Sequence, residues 1–180
     1  MDRLITIKST NHISPKYRQT PIGQFLKYHN LNQSFHTYDN PQLLIGTCVD
    51  NRVHLRIPGN FAYMVRAGGA NMRYNEFKIS YAIAFGKVKH IALIGHNHCG
   101  MSNLEARKDQ FVEGLIETAG WNREQAEQHF AQDYPYSEIG NEIDFILNES
   151  KRLKTLYPKI QIAPMMYLVE DKQLYFIQEK

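Results

Sequence analysis

Hydrophobic positions along the chain fall into short continuous runs and spaced stripes. Leu43–Cys48, Phe61–Ala67 and His90–Gly95 are runs of strand length, each bounded by polar or turn residues, as strands buried on both faces require. Ile160–Val169 and Leu174–Ile177 are two more, and Glu170–Gln173 between them is short enough for a hairpin. The stripes have the period of a helix. Phe77, Tyr81, Ala84 and Phe85 give one buried face to a helix over Glu76–Phe85, with Asn75 as its cap and Gly86 at its end. Leu104–Ala119 and Asn122–Gln132 read as helices separated by Gly120. Ile139, Ile143, Ile146, Leu147, Leu153 and Leu156 mark a stronger helix over Glu138–Tyr157, stopped by Pro158.

Phe61–Ala67, the turn Gly68–Asn71, the helix after it and His90–Gly95 compose a βαβ unit of roughly thirty residues, which implies parallel strands and a right-handed crossover. The fold class that follows is α/β, with an open, mostly parallel central sheet flanked by helices and a C-terminal β-hairpin. The link Val49–Asn60 is barely the dozen or so residues a parallel crossover needs, so any helix in it is short. Residues 1–40 are polar and aromatic, punctuated by Pro15 and Pro21, with one helix over Ile22–His29. They carry too few apolar residues to form a core and read as an N-terminal arm lying on its own domain or on a partner subunit. With no internal repeat, low-complexity tract or linker, residues 1–180 form a single domain.

Composition narrows the class. Hydrophobic residues at 43% and charged residues at 22% are those of an ordinary globular protein large enough to bury a core. The net charge of +3 comes from 21 basic and 18 acidic residues dispersed along the chain, without the basic block of a nucleic-acid arm. MDRLITIKST lacks the features of a secretory signal, and no run approaches the ~18 apolar residues of a membrane span. The expectation is a cytoplasmic protein that binds neither nucleic acid nor membrane, in a compartment where paired cysteines serve metal or catalysis rather than a disulfide.

Both cysteines lie at strand ends. Cys48 closes the first apolar run, and His96, His98 and Cys99 follow the third in HNHC. Ligand sites of open α/β sheets lie beyond the carboxyl ends of strands, so Cys48, His96 and Cys99 can converge on one crevice. Two thiolates and an imidazole suit Zn²⁺, and three protein ligands leave a fourth position for water. Either cysteine alone reads equally as a small buried hydrophobe. A closed structural site that adds His98 is a further alternative, although structural zinc sites usually draw on two local knuckles and Cys48 stands alone.

Cys48-Val49-Asp50-Asn51-Arg52 and His96-Asn97-His98-Cys99-Gly100 resemble the two signature motifs of the β-class carbonic anhydrases, C-x-D-x-R and H-x-x-C-G. The resemblance covers approximately Pro41–Ile177. It implies one Zn²⁺ per chain held by Cys48, His96 and Cys99, with Asp50 and Arg52 as a hydrogen-bonded catalytic dyad. The implied activity is that of a carbonate dehydratase: reversible hydration of CO₂ to bicarbonate and a proton, by hydroxide formed at the metal and oriented by the dyad. It also implies a homodimer, or a tetramer built from dimers, with the N-terminal arm embracing the partner, and a resting state in which Asp50 released from Arg52 closes the site. His98 fills a variable position, as a proton shuttle or an exposed side chain.

Three features depart from the family. Asp39 stands where the plant-like subgroup has a substrate-binding glutamine, Ala67 replaces the usual asparagine after Arg66, and the interval from Cys48 to His96 is compact. Alternatives to CO₂ hydration are hydrolysis of COS or CS₂ on the same zinc site, or a non-catalytic regulator that binds zinc or bicarbonate. No Walker or dinucleotide pattern surrounds Gly68 and Gly69, which read as a turn passing backbone close to the site.

Overall fold

The computed structural model describes residues 3–178. Its strands are β1 (Leu4–Thr6), β2 (Leu43–Thr47), β3 (Ala62–Arg66), β4 (His90–His96), β5 (Gln161–Leu168) and β6 (Gln173–Ile177). They form one sheet in the order β1-β6-β5-β4-β2-β3. The pairs β2–β3, β2–β4 and β4–β5 are parallel, whereas β5–β6 and β6–β1 are antiparallel. The sheet is therefore the mostly parallel one expected, with its C-terminal hairpin. Only β1 is additional. Three residues are too few to carry a periodic pattern, and this strand is held by pairing Leu4, Ile5 and Thr6 with Ile177, Phe176 and Tyr175.

The helices are α1 (Pro15–Arg18), α2 (Pro21–Leu31), α3 (Glu76–Ala84), α4 (Lys108–Ala119), α5 (Arg123–Ser137) and α6 (Glu142–Leu156). Alternation along the strands divides the core into two layers. Leu43 and Ile45 face one side with Ala92, Ile94, Met165 and Phe176, while Leu44 faces the other with Ile91, Leu93, Ile162 and Met166. On the first side lie Tyr17, Ile22, Phe25 and Leu26 of α1 and α2. Of the two placements expected for the arm, on its own domain or on a partner, the structure shows the first, with the arm contributing to this chain's core. Its apolar residues are few but large and share a face, and the Tyr17 hydroxyl donates to the Ile162 carbonyl at 3.0 Å.

The second layer is covered by Ile79 and Ala82 of α3 and by Ile146, Leu147 and Leu153 of α6. Here the predicted stripe of α3 is corrected. Phe77 is 85% exposed, Phe85 75%, and Tyr81 is also exposed. The helix is apolar around most of its circumference, so spacing alone does not choose a face. Ile79 and Ala82 let the helix seat against the sheet, which leaves the aromatic side beside the open edge of β3. Helix α6 also begins later than predicted, at Glu142, because Gly140 takes a left-handed φ of 61° and Asn141 caps the helix through the Asp144 N–H.

Residues 48–61 contain no helix. This link crosses from β2 to its neighbour β3 as a loop whose Val53, Leu55 and Ile57 pack against the first layer. The crossover from β3 through α3 to β4 spans β2, which lies between them. Strands β2 and β4 are parallel neighbours, with Thr47 opposite Ile94, so the residues beyond both strands emerge at one end of the sheet.

Candidate metal centre

The loop after β2 delivers Cys48, which is buried against Ile139 and Cys99. Two main-chain N–H groups donate to its sulfur, from Gly69 at 3.3 Å and Asp50 at 3.5 Å. Gly69 does so from the turn after β3, with φ of 59°, and a Cβ there would lie 2.6 Å from Ile139 Cγ2. Glycine is required on both counts. Arg66, at the end of β3, fixes the same loop by donating to the carbonyls of Cys48 at 3.0 Å and Val53 at 3.1 Å. It therefore serves as a structural clamp.

The other two candidate ligands are His96, on which β4 ends, and Cys99, in the loop after it. Cys99 Sγ lies 3.9 Å from Cys48 Sγ. This contact pulls the Cys48 thiol down toward thiolate, helped by His96 and by the N–H groups of Asp50 and Gly69. The same contact, with burial, pushes Cys99 up. His96 Nδ1 faces the Asn97 carbonyl at 2.9 Å and so carries the proton there, leaving Nε2 as a lone pair. Nε2 is buried without a hydrogen-bond partner among the described residues. Burial works to lower the His96 pKa, but the nearby Cys48 sulfur and Asp50 carboxylate outweigh it and the net direction is up.

The ligand atoms of Cys48, His96 and Cys99 all lie within 4.8 Å of one another. A buried, orphaned imidazole nitrogen beside two converging sulfurs is an arrangement that a divalent ion satisfies and a plain core does not. The residues fit a metal of the Zn²⁺ type.

Asp50 borders this cluster, with Oδ2 3.8 Å from His96 Nε2. Arg52 grips its carboxylate with two side-chain bonds, Nε to Oδ1 at 3.0 Å and Nη2 to Oδ2 at 2.7 Å, and adds its main-chain N–H at 2.8 Å. Arg52 Nη2 also donates to the His98 carbonyl at 2.8 Å, joining the two loops. The guanidinium holds the Asp50 carboxyl down to about 2.

The family model described as carbonic anhydrase matches residues 43–163, which include both loops. The chain belongs to the β-class carbonic anhydrase family. A carbonic anhydrase from Synechococcus elongatus is 25% identical over 184 positions, covering 87% of this chain and 67% of that protein. In fold the chain is similar to β-carbonic anhydrase isoform I from Trichomonas vaginalis, with TM-score 0.64, 19% identity, and coverage of 88% of this chain and 94% of that one. It is also similar to the apo form of a carbon disulfide hydrolase, with TM-score 0.56, 21% identity, and coverage of 80% and 82%.

Within this β-carbonic anhydrase chain, His98 stands outside the metal cluster. Its backbone has φ of 53°, and its exposed imidazole meets Glu170 at 3.1 Å. Asn71 accepts from the Arg73 N–H and donates to the Tyr136 carbonyl, so it braces the turn after β3. Asp39 is exposed before β2, at the opposite end of that strand from Cys48, and Ala67 lines a cavity of about 190 Å³ with Gly68, Met101 and Tyr136. No helix among the described residues is long and apolar enough to cross a membrane.

Sequence reasoning passed over the groups that fix the loop after β4. Asn97 Oδ1 accepts the Val169 N–H at 2.9 Å, and its amide donates to Glu170 at 2.8 and 2.9 Å. Glu142 Oε1 accepts the Cys99 N–H at 3.2 Å. Three of these contacts tie the loop to the β5–β6 turn and the fourth to α6.

Proposed function

We propose that this protein is a zinc enzyme that interconverts CO₂ with bicarbonate and a proton. The observation that carries the reading is the meeting of Cys48, His96 and Cys99 beside a carboxylate clamped by arginine. Two sulfurs and one imidazole would hold the ion and leave a position open for the reacting water. Zinc, when bound, supplies the Lewis acidity that lets water ionise near neutral pH.

The chain's own residues orient that water. Asp50 stays ionised through the neutral range and can only accept, so its Oδ2 takes a hydrogen bond from water and turns a lone pair toward the incoming carbon. Arg52 occupies both carboxylate oxygens and the His98 carbonyl, which keeps Asp50 beside the ligand set rather than within it. Burial of His96, and of Cys48 and Cys99 against Ile139, Met101 and Phe145, lowers the local dielectric and strengthens each of these interactions.

Stopped-flow CO₂ hydration by zinc-loaded protein tests the proposal, with Cys48→Ala as reference. The wild type is expected to exceed the reference far beyond background, and equal rates reject the reading. Offering the same sample carbon disulfide separates CO₂ hydration from the reaction for which one structural neighbour is named.

The proposed working unit is a homodimer. Exposed Met64, Phe77, Tyr81 and Phe85 flank the open edge of β3 and form an apolar face that a partner subunit would cover. Sedimentation velocity at micromolar protein is expected to give twice the chain mass; a monomer rejects this part.

A further inference from the structure

Helix α6 touches the segment that carries Cys99 and the turn that bonds Cys48, through carboxylates on one of its faces. Glu142 and Glu149 are seven residues, or two turns, apart, with Ile146 between them on the same side. Ile146 packs directly on β4, where a Cβ at Gly95 would approach it to 2.6 Å, so the helix is seated as close to the strand as glycine permits. From this seat Glu142 Oε1 accepts the Cys99 N–H at 3.2 Å. Glu149 Oε1 accepts the Met72 N–H at 3.1 Å, in the turn whose Gly69 N–H donates to Cys48 Sγ.

Glu149 is an unusual residue for this duty. Its side chain is 1% exposed, and Arg152 holds it with two bonds of 2.8 Å while also reaching Glu76. The carboxylate is thus buried, neutralised and fixed in direction before it meets the turn. Met72 beneath it is itself buried, and its sulfur would stand 3.2 Å from a Cβ at Gly46, two residues before Cys48. One helix therefore fixes the main chain at Cys99 directly and at Cys48 through one intervening turn.

We propose that Glu142 and Glu149 are positioning residues that set the placement of the two metal-binding sulfurs, acting as hydrogen-bond acceptors for main-chain N–H groups. The proposal rests on the metal-centre reading given above. Its chemistry separates acceptor from charge. Glutamine keeps the acceptor oxygen and loses the charge, whereas Glu149→Asp keeps the charge for Arg152 and withdraws the acceptor by one methylene.

The experiment is Co²⁺ uptake by the full chain in competition with a chelator, together with the sulfur-to-cobalt charge-transfer absorption, for wild type and Glu142→Ala, Glu142→Gln, Glu149→Asp and Glu149→Gln. Near-UV circular dichroism reports that each variant is folded. Glu142→Ala and Glu149→Asp are expected to bind Co²⁺ about 10–100-fold more weakly, with altered charge-transfer bands, while both glutamine variants keep wild-type affinity and spectrum. The reverse pattern, with Glu149→Gln impaired and Glu149→Asp intact, makes Glu149 a mere partner of Arg152 and overturns the proposal. Wild-type behaviour in Glu142→Ala and Glu149→Asp, or a Glu142→Gln variant as weak as Glu142→Ala, overturns it equally. In those cases wild-type Co²⁺ uptake leaves the metal centre standing; a wild type that takes up no Co²⁺ overturns both readings.

Discussion

The two loops that meet at the metal centre are held in opposite ways. The loop after β4, which follows His96 and carries Cys99, is anchored from behind by Asn97, Glu170 and Glu142, whose bonds run to the β5–β6 turn and to α6. The loop after β2 is gripped from the front by two arginines, and one of them, Arg52, has a side chain 45% exposed. The first loop is a frame that cannot move without disturbing the sheet. In the second, Asp50 is held by a clamp that solvent can reach. In the proposed function, the difference separates fixed ligand placement from an adjustable hydrogen-bond acceptor, and the two can be broken independently.

The largest expected effect comes from Arg52→Ala. Freed from its clamp, Asp50 loses its aim, and CO₂ hydration is expected to fall about 10–100-fold. The melting temperature is expected to stay close to wild type, because a part-exposed ion pair contributes little net stability. A second expected effect is on stability rather than turnover. Asn97→Ala leaves the Val169 N–H without its partner and removes two hydrogen bonds from the Glu170 carboxylate, for a cost of about 1–3 kcal/mol in urea unfolding. If Arg52→Ala unfolds as early as Asn97→Ala, the division between frame and clamp is wrong.

The smallest effect concerns a residue beneath both loops. His29 of α2 accepts the Arg56 N–H, on the link that continues the loop after β2, and donates to the Lys172 carbonyl, in the β5–β6 turn that anchors the loop after β4. Burial lowers its pKa from 6.5, so below that pH the unfolded chain binds the additional proton and the folded chain does not. Its stabilising contribution is complete above about pH 6.5 and is lost as pH falls through the interval between the ordinary and the folded value. The urea midpoint is expected to decline from pH 7.5 to 5.5, with a shallower slope in His29→Gln; identical slopes reject the assignment.

Strands β2 and β4 were legible because a strand buried on both faces announces itself as a continuous apolar run, as at Leu43 and His90. The run at Phe61 is a strand too, but β3 lies at the sheet edge with Met64 exposed, so its expected burial on both faces is corrected. The ligand cluster was legible for a related reason: two cysteines at the ends of two such runs have few ways to avoid one another in a parallel sheet. Strand β1 was not legible, since its pairing is made by backbone groups that every residue has. Nor was the outward face of α3, which is apolar on both sides. Glu142 and Asn97 escaped because their main-chain partners leave no mark in sequence, and Glu170 because its partner, the Asn97 amide, is 73 positions away. Glu149 did leave one. It interrupts the apolar register of α6 between Ile146 and Leu153, with Arg152 three residues on, and a carboxylate in a core stripe signals a buried bond.

Strand β1 also bears on how large an assembly can grow. It occupies the outer side of β6 with only three residues, a short and poor template for further pairing, whereas β3 presents five residues of open edge at the other end of the sheet. A sheet with one long and one short edge offers only a weak head-to-tail repeat. Two copies joined through their β3 edges each use up the longer edge and leave only the three-residue β1 edge, so self-pairing by this route favours a closed pair over a fibre.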